Sequence, residues 1–360
     1  MSSDPWTPSG WGSCGPRSPS TSGEWASAVQ IVALDPGTAS DADLAGVHAA
    51  QAAAGAVDRP LDPPPLLADL VDRFRDVRPD RRKIYLAART RAGTVGYAVL
   101  QLSLVDNPRM GLVTVEVHPE HRRRGIGTAL LCGVLAEMTA AGRTVLFAET
   151  DAGGPGDGFA TAHGLRVVET DRVSLLRLAD VDWPDVEAAA AGSPPGYRLV
   201  STVGRTPDEL LESYTRARTA MNDAPHGAAD LEDFVFTPEW VRDAETALRK
   251  LGELRLVFAV AADGEVAGFT EVLVGRQPQR AHQHDTAVVP AHRGHGLGLW
   301  IKSAMLVALR AERPDVTEIE TGNSTANQHM LAINQRLGFR PWREVNSWQG
   351  DVPELGARLG

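Results

Sequence analysis

A glycine-rich segment, Asp285–Lys302, combines the residue types that bind a phosphate group. Thr286–Val289 is a short β-branched and apolar run that is typical of a buried strand, and Pro290 ends it. Arg293 then opens a turn with glycines at positions 294, 296 and 298, and an apolar helical periodicity follows. Such glycines let backbone N–H groups converge beside the partly positive N-terminus of a helix. The segment therefore predicts a phosphate or pyrophosphate site.

The motif of this turn is Val-x-Pro-x-x-Arg-x-x-Gly-x-Gly, and the chain contains it twice, at Val117–Gly127 and at Val288–Gly298. It does not fit a Walker loop, which requires Gly-Lys-Ser/Thr after the glycines. It does not fit the dinucleotide turn Gly-x-Gly-x-x-Gly either, because position 299 is leucine. The remaining alternative is a tight turn that binds nothing.

The second half of the chain repeats the first. Arg293 follows Arg122 by 171 positions, and Gly264 follows Gly93, in the turns of two predicted hairpins, by the same interval. Equal intervals between matching features in the same order predict a duplicated domain. The motif and its duplication resemble the GNAT N-acetyltransferase superfamily in its tandem two-domain form, the architecture of mycothiol synthase. The resemblance covers most of residues 29–360 and is more specific in the second half.

The resemblance implies an α/β fold class with two tandem GNAT-like domains, each a mixed central β-sheet flanked by helices. It implies that acetyl-CoA is the co-substrate, that its acetyl group passes directly to an amine, and that no metal takes part. In this family a backbone N–H on the strand before the glycine loop stabilises the thioester oxygen. The CoA-binding residues that the motif carries over are Val288, Val289, Arg293, Gly294, His295, Gly296, Leu297, Gly298 and Asn327 in the second half, and Arg122, Gly125 and Gly127 in the first.

Two of these roles stay open at the level of the sequence. Arg293 either contacts a phosphate or braces the loop. Asn327 lies in an Asn-rich segment before the last long helix and is expected to bond the pantetheine amides. The alternative is that Asn323 or Thr325 simply caps that helix.

Three residues are candidates for the base that accepts the amine proton. Glu271 alternates with Phe269 and Leu273, so a carboxylate lies on an apolar strand face, where burial brings such groups into the range useful to a base. His282 and His284 lie on the strand that leads to the loop, and an imidazole titrates near neutral pH. In the family, a catalytic glutamate on this strand falls six residues before the motif valine, at the place of His282. The alternatives are a solvated edge glutamate and surface histidines.

The general acid that many family members use is absent from this sequence. In those enzymes a tyrosine four residues before the glycine of the Leu-Gly-Phe helix end protonates the departing thiolate, and here that position is Asn334. An amide is not an acid at neutral pH. Ser324 or His329 substitutes for it, or the thiolate leaves into water unassisted.

The first half departs further from the pattern. Gly111 and Ala160 occupy the places of the base and of the acid, so neither place holds a titratable group. Its glycine loop remains and is compatible with acyl-CoA binding. We therefore expect the N-terminal domain to be degenerate, structural or regulatory, and the C-terminal domain to be catalytic.

The expected function is that of an acetyl-CoA-dependent N-acetyltransferase acting on the primary amine of a small molecule. Asp223 or Glu239 is placed to pair with a cationic amine, unless both are solvated charges at helix ends. A peptide or protein amine is the alternative acceptor. A non-catalytic acyl-CoA-binding sensor is the alternative class.

The composition argues against several other classes of protein. The 360 residues are 43% hydrophobic, which suits two domains of ordinary size, and the formal charge of -10 argues against a general nucleic-acid binder. Cys14 and Cys132 are the only cysteines, so no disulfide framework or cysteine metal site is expected. No apolar run approaches the roughly 18 residues of a membrane helix. We expect a cytoplasmic monomer or homodimer without membrane or nucleic-acid partners.

Local signals divide the chain into four segments. Residues 1–28 are rich in Ser, Pro and Gly and are expected to form a disordered tail. Residues 29–180 form the N-terminal domain, and 181–196, with four consecutive alanines and a Pro-Pro pair, are the expected linker. Residues 197–360 form the C-terminal domain. Ser40 and Thr206 are expected N-caps of helices in the two domains.

Overall fold

A computed structural model describes residues 29–91 and 93–359, and the expected tail at 1–28 lies outside the described residues. Within that part of the chain there are twelve strands and ten α-helices. The strands are β1 (Gln30–Leu34), β2 (Arg81–Thr90), β3 (Gly93–Ser103), β4 (Met110–Val117), β5 (Val145–Asp151), β6 (Arg166–Arg177), β7 (Tyr197–Val203), β8 (Gly252–Ala261), β9 (Val266–Gly275), β10 (Arg280–Val288), β11 (Glu318–Ser324) and β12 (Arg340–Asp351). The helices are α1 (Asp41–Asp58), α2 (Leu67–Arg75), α3 (Ile126–Ala140), α4 (Pro155–His163), α5 (Trp183–Ala191), α6 (Asp208–Arg218), α7 (Pro238–Leu251), α8 (Leu297–Glu312), α9 (Gln328–Leu337) and α10 (Val352–Leu359).

All twelve strands belong to one mixed sheet, in the order β1-β2-β3-β4-β5-β12-β6-β11-β10-β9-β8-β7. The order shows that each half completes the sheet of the other. β12, from the second half, pairs antiparallel with β5, and β6, from the first half, pairs antiparallel with β11. β6 and β12 also pair with each other at the centre of the sheet. The two tandem GNAT-like domains therefore share their last strands.

The segment 181–196 is built around a helix. Asp182 caps α5, since its side chain accepts a hydrogen bond from the backbone N–H of Asp185. The helix packs against α8, and the indole N–H of Trp300 donates to the carbonyl oxygen of Ala190 at 2.9 Å. The connection between the halves is thus anchored to the second one.

The helix starts follow local sequence in one expected case and not in the other. Ser40 caps α1 with a capping box, in which the Asp43 carboxylate accepts a hydrogen bond from the Ser40 backbone N–H. The expectation for Thr206 is wrong, because Pro207 is the N-cap of α6 and makes no side-chain cap. The backbone N–H of Thr206 donates instead to the Glu245 carboxylate at 2.6 Å, which holds the residue against α7.

Two gaps in the sheet position the functional elements. The parallel strands β10 and β11 pair only over Arg280–His282, and β4 and β5 pair only over Met110–Val113. Beyond these residues the strands of each pair diverge. A glycine loop follows β4 and β10, and the helices α3 and α8 follow the loops. Each half therefore presents a wedge-shaped opening beside a helix N-terminus.

Candidate functional site

A large cavity, of about 1900 Å³, joins the two glycine loops. Its wall takes in both diverging strand pairs and the central strands between them. In the second half the wall includes Asp285–Val288, the loop at 292–299 and the segment 321–324. A cavity of this size holds an extended ligand with a nucleotide at one end.

The loop of the second half has the conformation that anion binding requires. Gly294 and Gly296 have φ of 83° and 75°, in the left-handed region that favours glycine. Gly296 is the N-cap of α8 and offers no side-chain cap, so the first N–H groups of the helix remain available to a ligand. A Cβ at Gly298 would lie 3.1 Å from Ile333 Cδ1, so a side chain at this position would be crowded. Glycine leaves the backbone accessible to a ligand. This chemistry fits the pyrophosphate of CoA.

The loop of the first half has nearly the same path. Gly125 has φ of 80° and is the N-cap of α3, again without a side-chain cap. The place of Gly294 is taken by Arg123, whose φ of 60° is uncommon for a residue with a side chain. A Cβ at Gly127 would lie 3.0 Å from the Phe159 ring. The first loop therefore keeps the glycine-capped helix N-terminus, but it has the Arg123 side chain and a strained backbone where the second loop has Gly294.

The two motif arginines brace their loops. The Nε of Arg293 donates to the carbonyl oxygen of Val288 at 3.2 Å, and its Nη2 lies 2.6 Å from Asp223. Arg122 donates to the carbonyl oxygen of Val117 at 3.0 Å and forms a bidentate pair with Asp58. Of the two roles left open for Arg293, the geometry favours bracing. Asp223 is therefore engaged by an arginine rather than free to pair with an amine.

Two residues assigned to CoA binding from the motif do not face the cavity. The N–H of Val289 donates to the carbonyl oxygen of Ala267 at 2.9 Å, so it cannot serve a ligand. His295 points away, and its Nδ1 lies 3.1 Å from the carbonyl oxygen of Arg293. Because alternate residues of an antiparallel strand bond the same neighbour, the N–H of Val288 points away from β9 into the opening beside β11. Val288 therefore carries the free backbone donor.

A β-bulge in β10 sets the residues that line the opening. The pairing of β10 with β9 shifts between Gln283 and Thr286, so His284 and Asp285 lie outside the regular ladder. Both residues line the large cavity. Strict alternation places adjacent residues on opposite faces, which is why the sequence pattern singled out His284 and missed Asp285.

Glu271 does not line either cavity, contrary to what its place among apolar residues suggested for a base. It is 6% exposed and is held by the guanidinium of Arg218 at 3.0 Å. The hydroxyl of Tyr214 also donates to Glu271, and Arg218 forms a second ion pair with Asp285. Burial here is compensated by a cation and a hydroxyl. The arrangement is that of a structural ion pair.

A second cavity, of about 460 Å³, lies on the other side of the opening. Both cavities are lined by His284, Thr321 and Gly322, so these three residues form the wall between them. His282 faces only the second cavity, where the surrounding protein desolvates the ring and lowers its pKa. Glu320 opposes that shift, while neighbouring cations add to it. Of the three predicted base candidates, His284 alone reaches the opening.

The start of α9 combines capping with a place on the cavity wall. Asn327 is the N-cap, with its side-chain oxygen accepting from the N–H of Met330 at 3.1 Å, and it also lines the cavity. Asn323 accepts a hydrogen bond from the amide of Asn334 at 2.6 Å. The other amide atom of Asn334, its oxygen, is buried without a partner. The asparagines thus form a polar strip beside the opening.

Among the carboxylates that line the large cavity and that the sequence analysis missed, three have a raised pKa: Glu116, Glu149 and Asp171. Burial raises the pKa of Glu116, and a hydrogen bond from Tyr97 opposes the shift. The surrounding protein also raises the pKa of Glu149, and it raises that of Asp171 to about 6. The first half therefore does place a titratable group at its opening. No single motif marks these residues, because the strand exchange brings them together.

A profile of the acetyltransferase (GNAT) family matches residues 56–156 and 220–339, more than half of the chain. This chain belongs to the GNAT family. Membership makes it an acyltransferase of the acetyltransferase type, and the family in general uses acetyl-CoA as co-substrate. The two matched ranges contain the two glycine loops, so the duplication seen in the sequence is a duplication of the GNAT unit.

Two relatives align with this chain over most of its length. The chain is 29% identical to the mycothiol acetyltransferase of Salinispora tropica over 321 residues, covering 85% of this chain and 93% of that protein. It is 32% identical to the mycothiol acetyltransferase of Clavibacter michiganensis subsp. michiganensis over 230 residues, covering 63% and 68%. Both relatives are named as acetyltransferases.

Solved structures of GNAT proteins share the fold. A tandem GNAT protein from the clavulanic acid biosynthesis pathway aligns with a TM-score of 0.75 and 28% identity, covering 90% of this chain and 98% of that one. A GCN5-related N-acetyltransferase from Sphaerobacter thermophilus aligns with a TM-score of 0.65 and 16% identity, over 90% and 96%. The second likeness is one of fold alone.

Residues 29–91 and 93–359 lack two further features. None of the helices in these ranges has the length and apolar character needed to cross a membrane. Nor do these ranges contain three or more His, Cys, Asp or Glu side chains grouped as metal ligands would be.

Proposed function

We propose that this GNAT enzyme transfers the acetyl group of acetyl-CoA to the primary amine of a small molecule, and that its C-terminal half carries out the transfer. The co-substrate would lie in the large cavity, where the N–H groups that follow Gly296 bind its pyrophosphate. The acceptor would lie in the second cavity. The similarity to proteins named mycothiol acetyltransferase supports a small molecule as acceptor.

The observation that carries this proposal is the shared wall of the two cavities. His284, Thr321 and Gly322 line both of them at the point where β10 and β11 diverge. An acetyl group presented from one side therefore meets an amine presented from the other. The second cavity, at about 460 Å³, suits a small ligand and leaves little room for a folded protein segment.

The residues around the opening support distinct roles. The N–H of Val288 points at the opening and can stabilise the charge that develops on the thioester oxygen. His284 lies where the amine must lose its proton before it attacks the carbonyl carbon. Asp285 is ion-paired with Arg218, which fixes the bulge that presents His284.

Catalysis in the C-terminal half has support from this constellation. In the first half, the opening is flanked by Arg123 in a strained conformation and by Phe159 against the loop. Three carboxylates there favour chemistry, since burial raises the pKa of Glu116, Glu149 and Asp171. We keep transfer in the first half as the competing assignment.

The proposal is tested by CoA release with a panel of small primary amines, with peptides as comparators and product masses as confirmation. We expect one or more small amines to gain 42 mass units, roughly one acetyl group, as direct transfer requires. Transfer to peptides alone would replace the acceptor class. If acetyl-CoA binds tightly but no acceptor causes CoA release, the protein is a non-catalytic acyl-CoA sensor instead of an enzyme.

A further inference from the structure

The second cavity has a cationic wall. Five basic side chains from both halves line it: Arg73, Arg78, Arg81, Lys83 and Lys250. Only three carboxylates share the wall: Asp72, Asp76 and Glu320. The balance is the reverse of the net charge of the chain, which is -10.

The carboxylates of this wall are already engaged. Asp72 pairs with Arg276, which lies outside the cavity lining. Asp76 pairs with Lys250 at 3.1 Å, and Glu320 with Arg343 at 3.2 Å. Asp80, which lies outside the lining, pairs with Arg78 and Arg81, so Arg73 and Lys83 are the wall cations without an ion pair in the described residues.

Two basic residues on neighbouring elements carry the surplus charge. The Arg73 guanidinium, on α2, makes no hydrogen bond or ion pair within residues 29–91 and 93–359. The Lys83 ammonium, on β2, donates to the carbonyl oxygen of Arg73 at 3.2 Å and has no other hydrogen-bond partner in the described part of the chain. Partial burial lowers the pKa of Lys83, and the nearby Arg81, Arg73 and Arg78 add to that shift while Asp76 opposes it. Such crowding of cations is costly unless an anion offsets it.

We propose that the second cavity binds an acceptor that carries an anionic group, a carboxylate or a phosphate, in addition to its amine. The anion lies against Lys83 and Arg73, and the amine lies at the opening beside His284. The N-terminal half thereby selects the substrate that the C-terminal half acetylates. This inference rests on the proposed function, since it assigns the second cavity to the acceptor.

The test uses matched acceptors that differ in one anionic group: tyramine against tyrosine, and glucosamine against glucosamine 6-phosphate. We expect a kcat/KM at least 10-fold higher for an anionic member than for its partner, with the advantage lying in KM and falling as salt is added. In Lys83→Gln and Arg73→Gln, KM for the anionic member rises 10-fold or more while KM for the neutral member changes little. Arg82→Gln is the matched control, because the next residue on β2 points to the opposite face.

The outcomes separate the inference from the function it rests on. Acetylation of both members of each pair at equal kcat/KM, or an equal effect of Lys83→Gln on both members, overturns the anionic acceptor and leaves the acetyltransferase standing. If no amine is acetylated, the proposed function fails. Calorimetry in the presence of CoA then tests whether the second cavity binds an anionic amine. If neither tyrosine nor glucosamine 6-phosphate binds, the assignment of the cavity to such a ligand is overturned.

A different observation concerns Lys302, in the second turn of α8. Its side chain is 2% exposed and lines the large cavity one turn beyond Gly298. Within the described residues it has no hydrogen bond or ion pair, and its ammonium lies 5.3 Å from the centre of the Phe339 ring. The residue 171 positions earlier, Leu131, belongs to the apolar core of the first half. The fold is thus formed in the first half with an apolar side chain at the position equivalent to Lys302.

We infer that Lys302 protonates the sulfur of CoA as the acetyl group leaves it. When the C–S bond breaks, its electron pair passes to sulfur, a proton passes from the Lys302 ammonium to that sulfur, and neutral Lys302 regains a proton from solvent. The carbonyl carbon has by then bonded the amine nitrogen. The neutral amide of Asn334 has no proton to give. This inference also rests on acetyl-CoA occupying the large cavity of the second half.

Burial is the only cause of the change in the Lys302 pKa, which it lowers to about 7. The ammonium is therefore an acid of useful strength near neutral pH. The titratable groups that line the same cavity on neighbouring elements are His284 and Asp285 on β10 and His329 on α9.

The test compares CoA with desulfo-CoA, which lacks the sulfur, in the wild type and in Lys302→Met. Calorimetry near pH 7.5 is expected to show wild-type CoA binding at least 5-fold tighter than desulfo-CoA, and a ratio near one in the variant. The matched control, Leu131→Met, keeps the wild-type ratio. In turnover, Lys302→Met lowers kcat and removes the alkaline limb of its pH profile. An unchanged binding ratio in Lys302→Met overturns the assignment, whatever happens to turnover.

Discussion

Arg218 and Asp285 form an ion pair that connects the interior of the second half to the wall of its cavity. The same guanidinium lies 3.0 Å from the Glu271 carboxylate, and Arg218 is only 5% exposed to solvent. The bulge that carries Asp285 also carries His284. The position of the proposed base therefore depends on a guanidinium that is buried behind the cavity wall.

Glu271→Gln is expected to act on stability before it acts on chemistry. The change leaves Arg218 buried beside a neutral amide, and removing one partner of a buried pair typically costs about 3–5 kcal/mol. Urea unfolding measures the loss. Tyr214→Phe, which removes only the hydroxyl that donates to Glu271, should cost less, about 1 kcal/mol. A fully stable Glu271→Gln with turnover reduced a hundredfold would return Glu271 to the role of base.

His284→Gln is expected to lower kcat about 10²-fold or more, because it removes the group placed to accept the amine proton. His282→Gln is the matched control on the same strand, since His282 faces only the second cavity. Single-turnover kinetics at several pH values separates the proton step from product release. Equal losses in the two variants would mean that neither imidazole is the base.

The two glycine loops are expected to be unequal in function. Gly298→Glu places an anion where the pyrophosphate binds and should abolish turnover, provided that circular dichroism shows an intact fold. Gly127→Glu should leave turnover within a few-fold of wild type. The pair is well matched, since the added Cβ meets a side chain at 3.1 Å in one case and 3.0 Å in the other. A folded but inactive Gly127→Glu beside an active Gly298→Glu would move catalysis to the first half.

Lys302→Met is expected to stabilise the protein, and the gain should depend on pH. The folded-state pKa of Lys302, about 7, lies below the unfolded value, so the unfolded chain binds more protons between these values and wild-type stability rises with pH across them. At pH 6 the variant escapes the full penalty, which is on the order of a few kcal/mol, and the gain shrinks towards pH 10. Denaturant unfolding at several pH values measures it. A pH-independent difference would show that Lys302 does not titrate in this range.

Much of the framework could be predicted from the sequence, because its signals are local. The glycine loops, the hairpins at Gly93 and Gly264 and the Ser40 cap depend on residues close together in the chain. The repeat interval gave the duplication, and the motif gave the GNAT family.

Other features of the site depend on contacts between distant parts of the chain. The bulge at His284 and Asp285 breaks the alternation on which the strand assignment depended. Glu271 is neutralised by Arg218, which lies 53 positions earlier and is brought to it by the fold. The cationic wall of the second cavity combines α2 and β2 with α7, which no motif links. Pairing between distant elements is the part that local patterns do not encode.

The exchange of β6 and β12 has a consequence for how the chain folds. Until Arg340–Asp351 has been synthesised, β5 has no neighbour on one side, and its unpaired backbone groups are open to association with other chains. The sheet of the N-terminal half is therefore complete only after β12, from the second half, has left the ribosome. We expect one cooperative unfolding transition for both halves, and a chain that ends before β12 should aggregate instead of folding as an independent half.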